Sequence, residues 1–520
     1  MAKNKAIVLS VIASLTLMLL LIGATYAYFQ AKTDSGSPAD VKVQTYTVDV
    51  LSFETGDPLS FTIDHDNFAK DQDSLSASTF ASAILSANNK TNTATDHYYM
   101  YLNISNNSFI YTQDVNTPEM ILTITSASGT PLTSIDGLTY KEVTDNKGTK
   151  ISGFDITTKN GLIPLLSNKE ISASPKTEEK WNVTITFVNY NLDQSKNAGK
   201  DFTAKLMIQK EKIETMATVC SSGQTLSSCI IAMNGKDDTL YFHDSNLENG
   251  AGDNSYRYAG PSEQVNNFIC FGSTTSPCPT DNLYRIIGVI DGKVKLIKYD
   301  YANSNLLGTD GDYYHGTTPP DGSYYKGKLT SVNTYYWNYK NDTTINSGYG
   351  SNTWSTSLLN KTNLNTNYIN NIGESWANKI ETTTWKVGGN TEANIGNAVP
   401  SVAYKNEITP AENTSYDAKI GLMYTSDYGF AASPSAWTTN LSSYNSSSVT
   451  SVNWMYMGMS EWTISRFSNT SVNVFFVITA GYVGNYTASY YVGVRPSFNL
   501  TSSTSYVSGS GSMSDPIRIN

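Results

Sequence analysis

Apolar residues recur at every second position in several segments between residues 40 and 212, and this alternation constrains the fold more than any other feature. Such a pattern puts one side of each segment on a hydrophobic core and the other side in water, as in β-strands. Turns rich in Gly, Asn, Ser and Pro separate the segments, which favours an antiparallel β-sandwich. The alternating positions are Val41, Val43 and Thr45; Met100, Leu102 and Ile104; Met120, Leu122 and Ile124; Trp181, Val183, Ile185 and Phe187; and Phe202, Ala204, Leu206 and Ile208. Residues 80–85 are predicted to form a short helix instead.

The composition excludes three classes of protein. Only 15% of the 520 residues are charged, but 35 are tyrosines, so the chain is too aromatic for a disordered protein. A mean hydropathy of -0.31 excludes a membrane protein with many spans. A net charge of -10 argues against nucleic acid as a partner, because nucleic-acid binding requires concentrated Lys and Arg.

The N-terminus predicts export. Lys3 and Lys5 precede an almost continuous apolar run at 6–22, and the small residues Thr25 and Ala27 follow it. This order is typical of a secretory signal peptide cleaved after Ala27. The run is also long enough to remain as one apolar helix that anchors the chain in a membrane. In both cases the positive charges stay on the cytoplasmic side, so we expect the rest of the chain outside the cell or at its surface.

The chain changes composition near Lys212. All five arginines, all four cysteines and seven of the eight tryptophans lie beyond this residue. We therefore predict a signal peptide or anchor at 1–27, a β-sandwich at 28–212, a disulfide-containing linker at 213–235 and an α+β module at 236–520.

The first half resembles a family of exported proteins. The junction Gly23-Ala-Thr-Tyr-Ala-Tyr-Phe29, followed by a strand of the form Val-Lys-Val-x-Thr at 41–45, is similar to the TasA/camelysin group of Gram-positive bacteria. The resemblance implies a mature start at Tyr28, a jelly-roll-like sandwich and, as in TasA, assembly into biofilm fibres. Residues 28–53 would then insert into a neighbouring subunit by strand donation, or else form the first strand of their own sandwich.

The second half begins with two cysteine pairs. In an oxidising compartment the simplest pairing joins Cys220 to Cys229 and Cys270 to Cys278, although four cysteines permit three connectivities. Beyond them, residues 283–298 are interrupted by Asp-Gly at 291–292, which predicts a β-hairpin with a type I′ turn. One or two short helices at 354–372 and several short strands after 419 complete an α+β module.

This module resembles bacterial surface domains with a C-type-lectin-like or formylglycine-generating-enzyme-like fold. The similarity rests on Trp462-Thr-Ile-Ser-Arg466 and, after a variable stretch, Gly493-Val-Arg-Pro-Ser-Phe-Asn-Leu500. Arg495 in the second motif is interpreted as structural, paired with a carboxylate or carbonyl inside the module, because Arg is rarely buried unpaired. The late cysteine pair that binds copper in those enzymes and the calcium-binding tripeptides of C-type lectins are absent from the sequence.

No cofactor or metal is predicted, and we expect no enzymatic activity. The four histidines are scattered and no His-Glu-x-x-His motif is present: His65, His97, His243 and His315. Glu461 and Asp427 lie beside aromatic residues, a composition found in sugar hydrolases. A glycosidase requires two carboxylates about 5 Å or about 6.5–9.5 Å apart, however, and capping or solvated acids are the simpler interpretation. An envelope hydrolase therefore stays a minor alternative.

Tyrosine clusters are the candidate ligand-binding residues. Aromatic side chains give rigid contact area at binding surfaces, although Tyr and Trp also favour strands and cores. The predicted partner is a glycan or a protein of the host or of a neighbouring cell, and the alternative function is that of a structural subunit that self-assembles into a fibre. The candidate residues are Tyr313, Tyr314, Tyr324, Tyr325, Tyr335, Tyr336, Trp337, Tyr486, Tyr490 and Tyr491.

Overall fold

Most of the chain after residue 48 is described by the structure, a computed structural model that divides into two compact units. The first unit ends at Ile213 and the second begins at Glu214. The described residues are 49–64, 67, 72–88, 93–319, 331–340, 348–388, 394–408 and 415–520. The predicted signal peptide or anchor, with Ala27, lies outside them. Within these residues, no helix has the length and apolar character needed to span a membrane.

The described part of the first unit is built from ten antiparallel strands. They form a six-stranded sheet in the order β1-β3-β9-β5-β7-β6 and a four-stranded sheet in the order β2-β10-β4-β8. The strands are β1 (Val50–Thr55), β2 (Leu59–Thr62), β3 (Leu75–Ser86), β4 (Ala94–Asn107), β5 (Met120–Ser126), β6 (Tyr140–Thr144), β7 (Lys150–Asp155), β8 (Gly161–Ala173), β9 (Lys176–Phe187) and β10 (Asp201–Gln209).

Both sheets contribute side chains to one hydrophobic core. Met120, Leu122 and Ile124 of β5 enter it from the six-stranded sheet, and β4 and β10 enter it from the other sheet. The period-two prediction is confirmed for all four described segments, in which every alternating residue is buried except the partly buried Trp181 and Ile208. The segment at Val41–Thr45 lies outside the described residues.

Residues 80–85 form strand rather than helix, so that prediction is wrong. They lie within β3, which pairs along its whole length with β9 and also pairs with β1. Ala81, Ala83 and Leu85 point into the core. Backbone pairing on both sides and burial of one face outweigh the weak helix preference of this alanine-containing segment.

All but the first residue of the predicted linker at 213–235 belongs to the second unit, which begins at Glu214. The segment contains two short helices, α1 (Met216–Val219) and α2 (Leu226–Ala232). Leu226 and Ile230 are fully buried in the core of the second unit, so the segment packs as part of that unit.

The cysteines follow the predicted pairing only in part. Cys270 and Cys278 form a disulfide. Cys220 and Cys229 are neighbours with free thiols, contrary to the predicted bond. Burial raises the pKa of both thiols, which lowers the fraction present as the reactive thiolate.

The second unit combines several small sheets with short helices around one large core. Its main sheet has the order β11-β12-β14-β15-β25-β20, with β13 also paired to β14. Its strands are β11 (Leu240–His243), β12 (Ser255–Tyr258), β13 (Phe268–Cys270), β14 (Leu283–Ile290), β15 (Lys293–Lys298), β16 (Tyr314–Thr318), β17 (Val332–Tyr336), β18 (Thr383–Lys386), β19 (Ser415–Ala418), β20 (Ile420–Gly421), β21 (Glu461–Arg466), β22 (Asn473–Val477), β23 (Val483–Thr487), β24 (Tyr491–Val492), β25 (Ser497–Asn499), β26 (Tyr506–Ser508) and β27 (Arg518–Ile519).

The helices of this unit are short and lie between the strands. A π-helix at Leu359–Tyr368 falls where short helices were predicted. The other helices are α3 (Ser304–Leu307), α4 (Ile369–Ile372), α5 (Glu374–Ala377), α6 (Pro400–Ile408), α7 (Thr425–Phe430) and α8 (Ser447–Thr450). The predicted hairpin is confirmed as β14 and β15, and Asp291 and Gly292 between them both have positive φ, as a type I′ turn requires.

A buried ion pair fixes the last part of the chain. Arg495 donates from Nε and Nη2 to the carboxylate of Glu461, at 2.6 and 2.7 Å, and from Nη2 to the carbonyl of Met455 at 2.7 Å. Both charged side chains are almost fully buried. Gly493, two residues before Arg495, exchanges backbone hydrogen bonds with Ser460 and Trp462, so the two segments are joined by backbone as well as by charge.

Replacing Glu461→Gln is expected to lower the free energy of unfolding of the second unit by about 3–5 kcal/mol, because Arg495 would keep a buried charge without a carboxylate. Tryptophan fluorescence in urea reports on this unit, which holds seven of the eight tryptophans. The matched control Asp312→Asn removes an exposed ion pair to Lys340 and is expected to cost less than about 1 kcal/mol. Equal losses in the two variants would contradict the role assigned to the buried pair.

A second buried group, His243, makes the stability of this unit depend on pH. Its Nδ1 accepts a hydrogen bond from the backbone N–H of Ala251, and its ring contacts Phe430 and Trp437. Burial, followed by the charge of Arg257, lowers the pKa of His243 to about 3. The fold therefore favours the neutral ring, and stability is complete above the unfolded pKa of about 6.5 and is lost as the pH falls toward 3.

We expect each pH unit below about 6 to lower the free energy of unfolding by about 1.4 kcal/mol through His243. The variant His243→Asn retains an acceptor but cannot take up a proton. Urea unfolding of both proteins at several pH values isolates the contribution of His243 to the pH dependence of stability, because every other titratable group is present in both proteins. Parallel curves for the two proteins would show that His243 does not titrate on unfolding.

Candidate functional site

Two strands of a small sheet bring tyrosines from distant parts of the chain together. In the sheet β16-β17-β24, Tyr336 of β17 lies directly opposite Tyr491 of β24. Side chains directly opposite each other in antiparallel strands share a face of the sheet. The two rings are accordingly in contact, with centroids 6.0 Å apart and planes at 89°.

A bulge in β16 adds a histidine to this face. Tyr314 pairs with Tyr335 and Gly316 pairs with Thr334, so His315 is an extra residue between two regular pairs. Bulges redirect a side chain relative to regular alternation. The His315 ring stacks on Tyr491, with centroids 3.3 Å apart and planes at 4°, and meets Tyr336 edge-on.

The aromatic row extends in both directions from this centre. At one end Tyr339 stacks on Tyr336 at 4.5 Å. At the other end Tyr490 stacks on Tyr491 at 5.1 Å, and Tyr486 lies tilted against Tyr490 at 4.7 Å. The exposed fractions of Tyr339, Tyr486 and Tyr490 are 37%, 53% and 36%. We call this group the tyrosine surface; it consists of His315, Tyr336, Tyr339, Tyr486, Tyr490 and Tyr491.

Three of the predicted ligand-binding residues belong to the core instead. Tyr313, Tyr335 and Trp337 are buried, and the inward position of Tyr335 and Trp337 follows from alternation around the outward Tyr336. Tyr335 donates its hydroxyl to the carbonyl of Gly308, and the Trp337 indole N–H donates to the carbonyl of Thr463. Tyr335 and Trp337 therefore satisfy their polar atoms inside the fold, and buried Tyr313 likewise lies away from the surface.

The remaining predicted residues have mixed positions. Tyr314 is partly buried, packs against Tyr335 and accepts a hydrogen bond from Asn333. Tyr324 and Tyr325 lie outside the described residues. The predicted set thus contributes Tyr336, Tyr486, Tyr490 and Tyr491 to the tyrosine surface.

The tyrosine surface contains no carboxylate, lysine or arginine side chain. Burial, followed by the charges of neighbouring tyrosines, raises the pKa of Tyr336 and of Tyr490. Burial lowers the pKa of His315 below 6.5. Beside the row, the exposed Lys340 pairs with Asp312 at 3.0 Å, so these two charges balance each other.

The phenolic hydroxyls of this surface differ from those of several core tyrosines in their hydrogen bonding. Tyr335, Tyr428 and Tyr444 each donate a hydrogen bond to a backbone carbonyl. Within the described part of the chain, none of the five surface tyrosines has a hydrogen-bond partner for its hydroxyl: Tyr336, Tyr339, Tyr486, Tyr490 and Tyr491. A phenol both donates and accepts, so the surface presents five hydroxyls to solvent or to a ligand.

The carboxylates considered for hydrolase chemistry are engaged elsewhere. Glu461 is held by Arg495, as described above. Asp427 accepts from Lys295 at 2.5 Å and from Arg257 at 3.2 Å, and all three side chains are buried. In the described residues, no three His, Cys, Asp or Glu side chains group closely enough to hold a metal ion. The tyrosine surface itself offers phenolic hydroxyls and aromatic rings.

Sequence reasoning missed His315 and Tyr339 as members of the surface. Tyr339 had a detectable signal, because it ends the aromatic run Tyr335-Tyr336-Trp337-Asn338-Tyr339. His315 had none, since its position depends on a bulge that only the pairing of β16 with β17 reveals.

Comparisons with known proteins found no similarity. No protein-family model and no curated protein matches the sequence, and no solved structure matches the fold.

Proposed function

We propose that this chain is an exported bacterial cell-surface protein whose second unit binds a glycan or a protein ligand through the tyrosine surface, without catalysis. The observation that carries the proposal is the gathering of five tyrosines, from distant chain segments, on one partly exposed face, where their hydroxyls have no partner among the described residues. Tyrosine is enriched at binding surfaces because it supplies rigid, amphipathic contact area at low entropic cost.

Two further features support the proposed location. The N-terminal order of basic, apolar and small residues is that of a signal peptide or a membrane anchor. The disulfide between Cys270 and Cys278 fits an oxidising compartment. The sequence motifs resemble those of a TasA-like first module and a lectin-like second module. Both resemblances are to exported or surface proteins, which agrees with a binding surface outside the membrane.

The double variant Tyr486→Ala/Tyr490→Ala is expected to bind its ligand about tenfold or more weakly, because it removes two exposed rings at one end of the row. The full chain is screened against arrayed glycans and extracellular proteins, and any ligand found is then titrated against the variant. The matched control Met513→Ala changes an exposed apolar residue outside the tyrosine surface and should bind normally. Unchanged affinity of the double variant for every ligand found would refute the proposal.

A structural subunit of a surface fibre is the second candidate, and the position of β1 favours it. Within the described residues β1 pairs only with β3, so its outer edge is open, and Val50 in this strand is 54% exposed. An open edge strand is a template for pairing with another chain. The segment that precedes β1 would be the donor strand.

Fibre formation tests this second candidate. A chain that starts at Tyr28 should assemble in a concentration-dependent way, as seen by electron microscopy and light scattering, and removal of residues 28–40 should abolish assembly. The control Tyr486→Ala/Tyr490→Ala should assemble normally. A chain that remains monomeric at every concentration would exclude the fibre function.

A further inference from the structure

We infer that the ligand of the tyrosine surface is a neutral oligosaccharide. The inference rests on the proposed function, since it names the chemical class of the ligand at the same surface. Three properties of the row carry it: the free hydroxyls, the absence of net charge and the arrangement of the ring faces.

The phenolic hydroxyls of the row favour a polyhydroxylated ligand over an apolar one. Five phenolic hydroxyls are without a protein partner in the described chain. An apolar protein patch packed over them would remove their water without replacing its hydrogen bonds, which costs free energy at each group. A sugar chain supplies donors and acceptors at short intervals and can replace that water. The surface is therefore better matched to a glycan than to an apolar protein interface.

The charges indicate that the glycan is neutral. Uronate, sulfate or phosphate groups on a glycan are bound by unpaired Lys or Arg. Among the described residues, Lys340 beside the row is already paired with Asp312, and the row itself contains no carboxylate, lysine or arginine. Burial lowers the pKa of its one histidine, His315, which favours the neutral ring. The protein as a whole carries a net charge of -10, which also repels an anionic polymer.

The ring geometry assigns different roles to the two ends of the row. His315 and Tyr491 lie parallel in contact and so cover one face of each other, as do Tyr336 and Tyr339. Tyr486 is tilted by 54° to Tyr490 and is the most exposed tyrosine of the row, so its face is open. We expect one sugar ring to stack on Tyr486, while Tyr490 and Tyr491 contribute mainly hydroxyl groups.

Calorimetric titration of the full chain with soluble hexasaccharides tests the inference. The neutral probes are cellohexaose, xylohexaose, laminarihexaose and chitohexaose; the anionic probes are hexagalacturonate and a heparin hexasaccharide. We expect saturable binding of at least one neutral probe, about tenfold or more tighter than either anionic probe and nearly independent of salt. Failure of every neutral probe to bind, or tighter binding of an anionic probe, overturns the inference.

Matched Phe and Ala variants separate stacking from hydrogen bonding. Tyr486→Phe keeps the open ring and should change affinity by no more than about twofold, whereas Tyr486→Ala should weaken it about tenfold. Tyr490→Phe/Tyr491→Phe keeps both rings but removes both hydroxyls, and should weaken binding about fivefold. An unchanged affinity in this double Phe variant overturns the inference. Met513→Ala serves again as the control.

The outcomes also separate this inference from the proposed function. If a protein rather than any neutral glycan binds, and Tyr486→Ala/Tyr490→Ala abolishes that binding, the glycan assignment fails and the binding function stands. If the Ala variants leave binding to every ligand unchanged, both fail.

Discussion

The buried pair of Arg495 and Glu461 is the contact on which the arrangement of the second unit depends. The segment around Arg495 begins with β24, which carries Tyr491, and ends with β25, which lies in the main sheet between β15 and β20. One chain segment therefore belongs to both the main sheet and the sheet of the tyrosine surface. The ion pair, reinforced by the backbone bonds of Gly493, fixes this segment between them.

In the first unit, the sequence predicted which side of each strand is buried, because burial of one sheet face imposes a period of two on the strand. Met100, Leu102 and Ile104 illustrate this, since all three lie in the core. Residues 80–85 show the limit of the same reasoning. Their local preference is weak, and their conformation is decided by β1 and β9, whose pairing with β3 spans from about thirty to more than one hundred residues of sequence.

The candidate site was predictable only in part, for a related reason. The clusters at 313–337 and 486–491 were found by composition, but composition does not say which ring faces outward. In β17, Tyr335 and Tyr336 are neighbours of identical chemistry, and alternation sends one into the core and the other to the surface. Contacts between Tyr336 and Tyr491 depend on strand pairing across more than 150 positions, which residue types alone do not encode.

The bulge at His315 separates the make-up of the tyrosine surface from the stability of the sheet. Because the extra residue makes no regular pair, β16 can keep its pairing with β17 whether or not that position is filled. Deletion of this single residue would leave the ladder continuous but take away the imidazole that covers Tyr491, and insertion of another would present a new side chain there. Length variation at this one point could therefore change the side chains that this face presents, without repacking the interior.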